Sequence, residues 1–137
     1  MHKIAIVDKM HEDGINLLRN NPKFQCEIIE DLSKENLISK LPDFDGITLR
    51  RGKIDSEILK KCKNLKVISR HGVGYDNVDI KYLKEKNISL LVTGTTAAVS
   101  PAEHIMFMIL NISKSFNLYD DAVRNGNFEN IMHMDHK

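Results

Sequence analysis

Short apolar runs alternate with segments of helical spacing along most of the chain. The runs are rich in Ile and Val, as is typical of buried strands, and they lie at residues 3–8, 24–29, 45–49, 65–69 and 88–92. The intervening segments carry apolar residues three or four positions apart, which predicts helices near residues 14–20, 33–41, 55–62 and 78–86. Alternating strands and helices favour right-handed crossovers and a parallel sheet covered on both faces.

A stronger helical signal follows the fifth run. Ser100 and Glu103 have the spacing of a capping box, and Pro101 suits the first helical position. The helix is expected to run to about Arg124 and to stop at Gly126, which is roughly 36 Å at 1.5 Å per residue. The whole chain is therefore expected to be an α/β fold, a flavodoxin-like doubly wound five-stranded parallel sheet followed by a long C-terminal helix.

Six consecutive residues of that helix, residues 105–110, are apolar. A helix that is apolar on every face must be covered all round. The five-stranded domain can cover one side only, so a second subunit or a further domain is expected on the other. The predicted organisation is a domain at residues 1–98, a helical arm at 99–126 and a tail at 127–137.

Length, composition and charge limit the class of protein but do not identify a binding partner. The 137 residues are 42% hydrophobic, with a formal net charge of +1 and charges of both signs scattered along the chain, which favours one folded domain and argues against nucleic acid. Cys26 and Cys62 lack C-x-x-C spacing and are interpreted as reduced thiols of a cytoplasmic protein. No apolar run reaches the roughly 18 residues of a membrane span, and none resembles a signal peptide.

A glycine-containing stretch, residues 69–77, follows the fourth apolar run and precedes a helix. Gly72 and Gly74 begin a Gly-x-Gly pattern, but Asn77 stands where a dinucleotide loop needs its third glycine. The next strand also lacks the acidic residue that would bind a ribose. Two interpretations stay open: backbone N–H groups that bind a carboxylate or phosphate, or a plain tight turn with Asp76 or Asn77 capping the next helix.

Basic residues follow two neighbouring strands. The carboxyl ends of parallel strands share one edge, which brings these residues beside the glycine loop: Arg50, Arg51, Lys53, Arg70 and His71. Arginine binds carboxylate or phosphate in a bidentate manner, so the group favours an anion site, although any one arginine alone is more simply a surface residue.

The remaining histidines are weaker candidates. His104 could line a cleft, but a packing role is the simpler interpretation. His133 and His136 have metal-ligand spacing at a chain end without further ligands, so no metal is assigned.

Three segments resemble the D-isomer-specific 2-hydroxyacid dehydrogenase family, with its phosphoglycerate dehydrogenases closest. They are residues 64–79 (NLKVISRHGVGYDNVD), 99–104 (VSPAEH) and 122–128 (AVRNGNF). The motifs occur in the family's order and at its separations, and the resemblance runs to about residue 129.

The resemblance implies a small anionic 2-hydroxyacid substrate and NAD as cofactor. It implies a substrate site made of Arg50, Ser69, Arg70, His71, Gly72, Val73 and Gly74. In such enzymes the loop amides meet the substrate carboxylate, Arg50 would meet a phosphate end, and Val73 would also lie near the nicotinamide. Residues 93–99 resemble an interdomain hinge, and helix 100–124 resembles the arm that packs against a partner subunit in a homodimer.

The chain also departs from the family. A Rossmann domain with G-x-G-x-x-G, and the later Arg, Glu and His that bind substrate and relay the proton, are not found in the 137 residues. The chain is therefore expected to hold no catalytic residue and to be inactive alone, as a truncated, split or partial form of an enzyme of serine biosynthesis.

Two other functions are conceivable for an α/β domain of this kind. A stand-alone dimeric binding module for a small carboxylate or phosphate stays open. A phospho-acceptor receiver is disfavoured, because Arg50 occupies the position of its aspartate and Thr93-Gly94 that of its lysine.

Overall fold

The computed structural model describes residues 1–127, so most of the predicted tail at 127–137 lies outside the described residues. The chain divides into two compact units, one from Met1 to Gly94 and one that begins at Thr95. The functional division expected at residue 98 stays a prediction.

The first unit alternates strands and helices as the apolar runs predicted. Its strands are β1 (His2–Val7), β2 (Phe24–Ile29), β3 (Gly46–Leu49), β4 (Val67–Arg70) and β5 (Ser89–Val92). Its α-helices are α1 (Glu12–Arg19), α2 (Lys34–Lys40), α3 (Ser56–Leu59) and α4 (Ile80–Lys86), with a 3-10 turn at Leu41–Asp43. All strand pairs are parallel, in the order β2-β1-β3-β4-β5, which confirms the doubly wound five-stranded sheet.

The two faces of the sheet differ in burial. On one face, register aligns Ala5, Ile47 and Ile68, which are buried with residues of α2, α3 and α4 in the main core. On the other face, the row that starts at the buried Ile6 continues to Thr48, Ser69 and Leu91, and Leu91 is 57% exposed. The first unit therefore has one well-packed face and one that is open on the β3–β5 side.

Helix α4 begins and ends at residues suited to those positions. The Asp79 carboxylate accepts from the Tyr82 N–H at 3.0 Å, so Asp79 is the cap and the expectation of Asp76 or Asn77 is wrong. The helix starts later because the chain first forms a parallel bridge between Ile54 and Val78. At its other end Asn87 takes a left-handed conformation with φ 54°, which Asn tolerates better than most residues.

The second unit contains two helices where one was expected. After a 3-10 turn at Thr95–Ala97, α5 runs over Val99–Ser113 and α6 over Phe116–Arg124. The long C-terminal helix is thus confirmed, but the continuous span 100–124 is wrong. Ser115 has φ 48°, which breaks the helix there and leaves α5 at 15 residues, or about 22 Å.

The expected capping box is also wrong. Helix α5 begins at Val99 after Ala98, and no side chain caps it. The 3-10 turn leads directly into the helix, so Ser100 already lies inside the first turn. Among the described residues, no helix is both long and apolar enough to cross a membrane.

Candidate functional site

The carboxyl ends of four strands form one edge of the first unit. We call this the strand-end edge: residues 8–11 after β1, 50–54 after β3, 70–77 at the end of β4, and 93 after β5. Register pairs Leu49 with Arg70 and Arg70 with Val92, and the His71 N–H donates to the Leu49 carbonyl at 2.7 Å. The structure therefore brings the basic residues after β3 next to the glycine loop after β4, as the sequence predicted.

The glycine loop has a geometry that only glycine accepts easily. Gly72 has φ 146°, and a Cβ there would overlap the Arg70 guanidinium, which itself donates to the His71 carbonyl. Its carbonyl accepts from the Thr93 N–H at 3.2 Å, which ties the loop to the end of β5.

The backbone N–H groups of residues 73–77 have no acceptor among the described residues. The first two, those of Val73 and Gly74, lie at the glycine turn itself, and the Val73 side chain is 54% exposed. Successive backbone N–H groups in a turn form an anion-binding concavity. The loop can therefore accept a carboxylate or phosphate without breaking any bond it already makes.

Asn77 occupies the position at which a dinucleotide-binding loop has its third glycine. Its side-chain N–H donates to the Gly52 carbonyl at 2.7 Å, and its backbone carbonyl accepts from the Ile54 N–H at 2.8 Å. The residue that replaces the third glycine thus fastens the loop to the basic segment after β3. Sequence reasoning found the missing glycine but gave Asn77 only a possible capping role, because its partners lie about 25 residues away.

The two consecutive arginines after β3 behave differently. Arg51 makes a bidentate pair with Asp8, from Nε to Oδ2 at 2.7 Å and from Nη2 to Oδ1 at 3.0 Å. Asp8 is only 4% exposed, and the Arg51 hydrogen bonds hold the pKa of its carboxyl at about 2, against the opposing effect of burial. Sequence reasoning missed Asp8, and an acidic residue ending the first buried strand was the signal that could have found it.

Arg50 has no direct ion-pair partner among the described residues, although its charge also helps to lower the pKa of the Asp8 carboxyl. Its Nη1 donates to the Lys9 carbonyl at 3.2 Å, and it makes no ion pair with a carboxylate among residues 1–127. Lys53 on the same segment is likewise exposed, and no ion pair involves it within the described part of the chain. An exposed, unpaired guanidinium at the end of β3 is therefore the side chain best suited to an incoming anion.

Arg70 packs against the glycine loop. Its guanidinium lies back over Gly72, and its Nε is buried without a hydrogen-bond partner in the described structure. Arg70 therefore shapes the loop from within.

A pocket of about 460 Å³ opens beside this edge, on the open face of the sheet. Its sheet side is polar and its α1 side is apolar; the lining residues are Thr48, Ser69, Arg70, His71, Thr93, Met10, His11, Gly14, Leu17 and Leu18. The buried Thr48 hydroxyl has no partner among the described residues. The pocket can hold a small organic molecule with polar groups at one end.

The other candidates are three histidines and two cysteines. His104 stacks on Phe107 within α5, with ring centroids 6.1 Å apart. Residues 1–127 contain no group of three His, Cys, Asp or Glu side chains placed to hold a metal ion, and His133 and His136 lie outside the described residues. Cys26 and Cys62 are free thiols, and burial raises the pKa of Cys62 to about 11.

Comparison with known proteins identifies the family of the chain. The sequence model of the catalytic domain of D-isomer specific 2-hydroxyacid dehydrogenases matches residues 4–132. The D-3-phosphoglycerate dehydrogenase of Archaeoglobus fulgidus is 30% identical over 128 residues, which are 93% of this chain and 24% of that protein. The chain thus spans about a quarter of the length of this curated relative.

Solved structures agree with the sequence match. A protein of Pyrococcus horikoshii superposes with a TM-score of 0.83 at 29% identity, covering 94% of this chain and 38% of that one. The D-lactate dehydrogenase of Aquifex aeolicus, complexed with NAD and lactic acid, superposes with a TM-score of 0.77 at 26% identity, covering 91% and 38%.

Proposed function

Because the chain belongs to the D-isomer specific 2-hydroxyacid dehydrogenase family, through its catalytic domain, we propose that it is the substrate-binding portion of an NAD-dependent enzyme that oxidises a 2-hydroxy acid to a 2-oxo acid. The observation that carries this proposal is the pair of unengaged amides at Val73 and Gly74 on the same edge as Arg50, which has no ion-pair partner among the described residues. Together they provide an anion site at the strand ends, where ligands bind in open parallel sheets.

The proposed substrate is a small 2-hydroxyacid with a second anionic group, as in 3-phosphoglycerate. Its carboxylate would accept from the Val73 and Gly74 amides, while its phosphate would meet Arg50. Ser69 and His71 line the adjoining pocket and would contact the body of the substrate. The similarity to a D-3-phosphoglycerate dehydrogenase supports this choice. A place in serine biosynthesis and a cytoplasmic location are part of the same proposal.

NAD would accept the hydride, and this chain offers only a small part of its site. Val73 is exposed at the tip of the loop, where it can contact a nicotinamide ring. The loop lacks the third glycine of a dinucleotide-binding loop, and Asn77 at that position is tied to Gly52 instead. The residues of this chain therefore bind and orient the substrate.

We further propose that hydride transfer requires residues beyond these 137, which contain no G-x-G-x-x-G sequence. Steady-state assay of the chain with NAD and 3-phosphoglycerate tests this directly. Turnover at ordinary enzymatic rates would contradict it.

Binding is tested separately by calorimetry with 3-phosphoglycerate. Arg50→Ala is expected to weaken binding by about tenfold, since a hydrogen bond to a charged group contributes roughly 1.5–3 kcal/mol. Arg19→Ala removes an exposed arginine of α1 and serves as the matched control, with affinity unchanged. Absence of saturable binding by the wild type would refute the proposed function.

A second candidate is a dimeric binding module that captures a small carboxylate or phosphate without chemistry. The observation in its favour is the row of apolar α5 residues, Ile105 to Leu110, each about half exposed. A homodimer through α5 is compatible with either function. Saturable binding by the dimer, without turnover when the remaining residues of a dehydrogenase are supplied in trans, would favour the module.

A further inference from the structure

Asp8 is the only buried charged residue that the structure describes. It ends β1 with φ 73°, a left-handed conformation that is unfavourable for a residue with a side chain. A buried carboxylate without partners is also unfavourable. Hydrogen bonds to the Asp8 carboxylate offset the cost of the left-handed backbone and of the buried charge.

Those hydrogen bonds connect the two consecutive arginines. Arg51 donates twice to Asp8, whose Oδ1 also accepts from the Lys9 N–H at 2.8 Å. The Lys9 carbonyl in turn accepts from Arg50 Nη1 at 3.2 Å, and the Arg50 N–H donates to the Val7 carbonyl at 3.3 Å. A continuous hydrogen-bonded path therefore runs from Arg51 through Asp8 and Lys9 to Arg50.

We propose that Asp8 and Arg51 form a positioning pair that fixes the Arg50 guanidinium for an incoming carboxylate or phosphate. This inference rests on the proposed function, in which Arg50 binds the anion. The pair acts by holding the backbone of Lys9, whose carbonyl is the hydrogen-bond partner of the Arg50 guanidinium.

Arg51 itself is not the anion-binding group. Both oxygens of Asp8 occupy its Nε and Nη2, so a ligand that took this fork would leave a buried carboxylate uncompensated. Arg50 has no such competitor among the described residues. Of the two neighbouring arginines, Arg51 is therefore the positioning residue and Arg50 is the ligand-binding residue.

The experiment is a double-mutant cycle on binding of 3-phosphoglycerate, measured by calorimetry. Arg51→Met is expected to weaken binding by about tenfold in the wild-type background and to cause no further loss in Arg50→Ala. Arg51→Lys should recover part of the affinity. Lys23→Met removes an exposed cation that precedes β2, away from the strand-end edge, and is the control for net charge, with a change below about twofold.

Additive losses in the cycle would overturn the proposal, because they would mean that Arg51 contacts the ligand independently of Arg50. If Arg51→Met does not fold, Asp8→Asn replaces it in the cycle. Asn tolerates the left-handed backbone and can still accept from the Lys9 N–H, but it lacks the charge that holds Arg51.

A second readout needs no ligand. In the free wild-type chain, the two Nη groups of Arg50 should give separate NMR signals because the Lys9 carbonyl restricts rotation of the guanidinium. Arg51→Met should average them. If the wild type does not bind 3-phosphoglycerate, the proposed function falls, and this measurement alone decides the positioning pair: averaged signals support it and unchanged signals overturn it.

Discussion

The Arg70 guanidinium lies so close to the Gly72 backbone that a Cβ on residue 72 would overlap it. The positive φ of Gly72 follows from the sharp turn at the end of β4, and the Arg70 guanidinium fills the room left by the missing side chain. The two features together place the Val73 and Gly74 amides at the edge. One glycine therefore sets the direction of the proposed carboxylate donors.

We predict that Gly72→Ala destabilises the chain by about 1–3 kcal/mol and weakens binding of 3-phosphoglycerate. The new Cβ would force the Arg70 guanidinium away from the His71 carbonyl and would strain the backbone. Urea unfolding and calorimetry measure the two effects.

Gly94→Ala is the control for this substitution, because no atom lies within 4 Å of a Cβ at Gly94. Its free energy of unfolding should change by less than about 0.5 kcal/mol. Equal behaviour of the two variants would show that the Gly72 backbone is not required.

Asp8 makes acid stability a test of its pairing with Arg51. The pKa of its carboxyl lies at about 2, below the ordinary 3.8, so the stabilisation is complete above about pH 4 and is lost as the pH falls through about 2. The wild type should exceed Asp8→Asn in free energy of unfolding by roughly 2 kcal/mol at neutral pH, and the difference should shrink below pH 4.

The comparison is made by urea unfolding from pH 2 to pH 7. Asp45, whose pKa is also lowered to about 2 by Lys66 and the Lys3 N–H, is common to both proteins and cancels in the difference. A gap that is constant with pH would rule out ionisation of Asp8 as its cause.

At the scale of elements, the apolar pattern located all five strands, and each predicted strand overlaps an observed one. Short runs rich in Ile and Val, bounded by polar and turn residues, leave a strong local signal for strands. The helix boundaries were less accurate, because α3 and α4 begin only after Asp55 and Asp79 cap them. The capping residue is the last one before the helical backbone begins. For α4 the bridge between Ile54 and Val78 delays that start, so Asp79 is the cap.

The break at Ser115 and the bonds of Asp8 and Asn77 could not be predicted from the sequence. Lys114 and Ser115 are compatible with a continuing helix, so periodicity alone carried the expected helix through them. Asp8 meets Arg51 only after β1 and β3 become neighbours, 43 residues apart in sequence. Local sequence patterns thus predicted that the basic residues lie at one edge of the sheet. Which of the two arginines pairs with Asp8 depends on tertiary contacts.

The left-handed end of α4 predicts opposite preferences at two positions of one helix. At Asn87, with φ 54°, Gly should be more stable than Ala by about 1 kcal/mol. At Lys84, an exposed position inside α4, Ala should be more stable than Gly by about the same amount. Urea unfolding of the four variants measures this, and the same preference at both positions would contradict the observed helix end.

At the scale of the molecule, the two units differ in how their apolar residues are covered. The first unit buries its core between the sheet and α2, α3 and α4. Helix α5 has no buried residue, and Phe107 and Ile109 are each more than half exposed. Such a continuous exposed apolar surface typically marks a protein interface.

We therefore predict that the chain self-associates at micromolar concentration, as light scattering would show. Ile109→Lys should shift it towards the monomer, because a charge placed in an apolar interface is strongly unfavourable. Leu17→Lys is the control, since Leu17 is 77% exposed but lies on α1. A wild type that is monomeric throughout would contradict an interface on α5.

The hydrogen bond from the Thr93 N–H to the Gly72 carbonyl has a mechanical consequence. The chain leaves the sheet at Thr93, and only Gly94 separates this residue from the start of the second unit at Thr95. A pull applied at that boundary acts on β5 along the backbone and on the glycine loop through this one hydrogen bond. The loop is thus coupled to forces from the rest of the polypeptide as well as to its ligand.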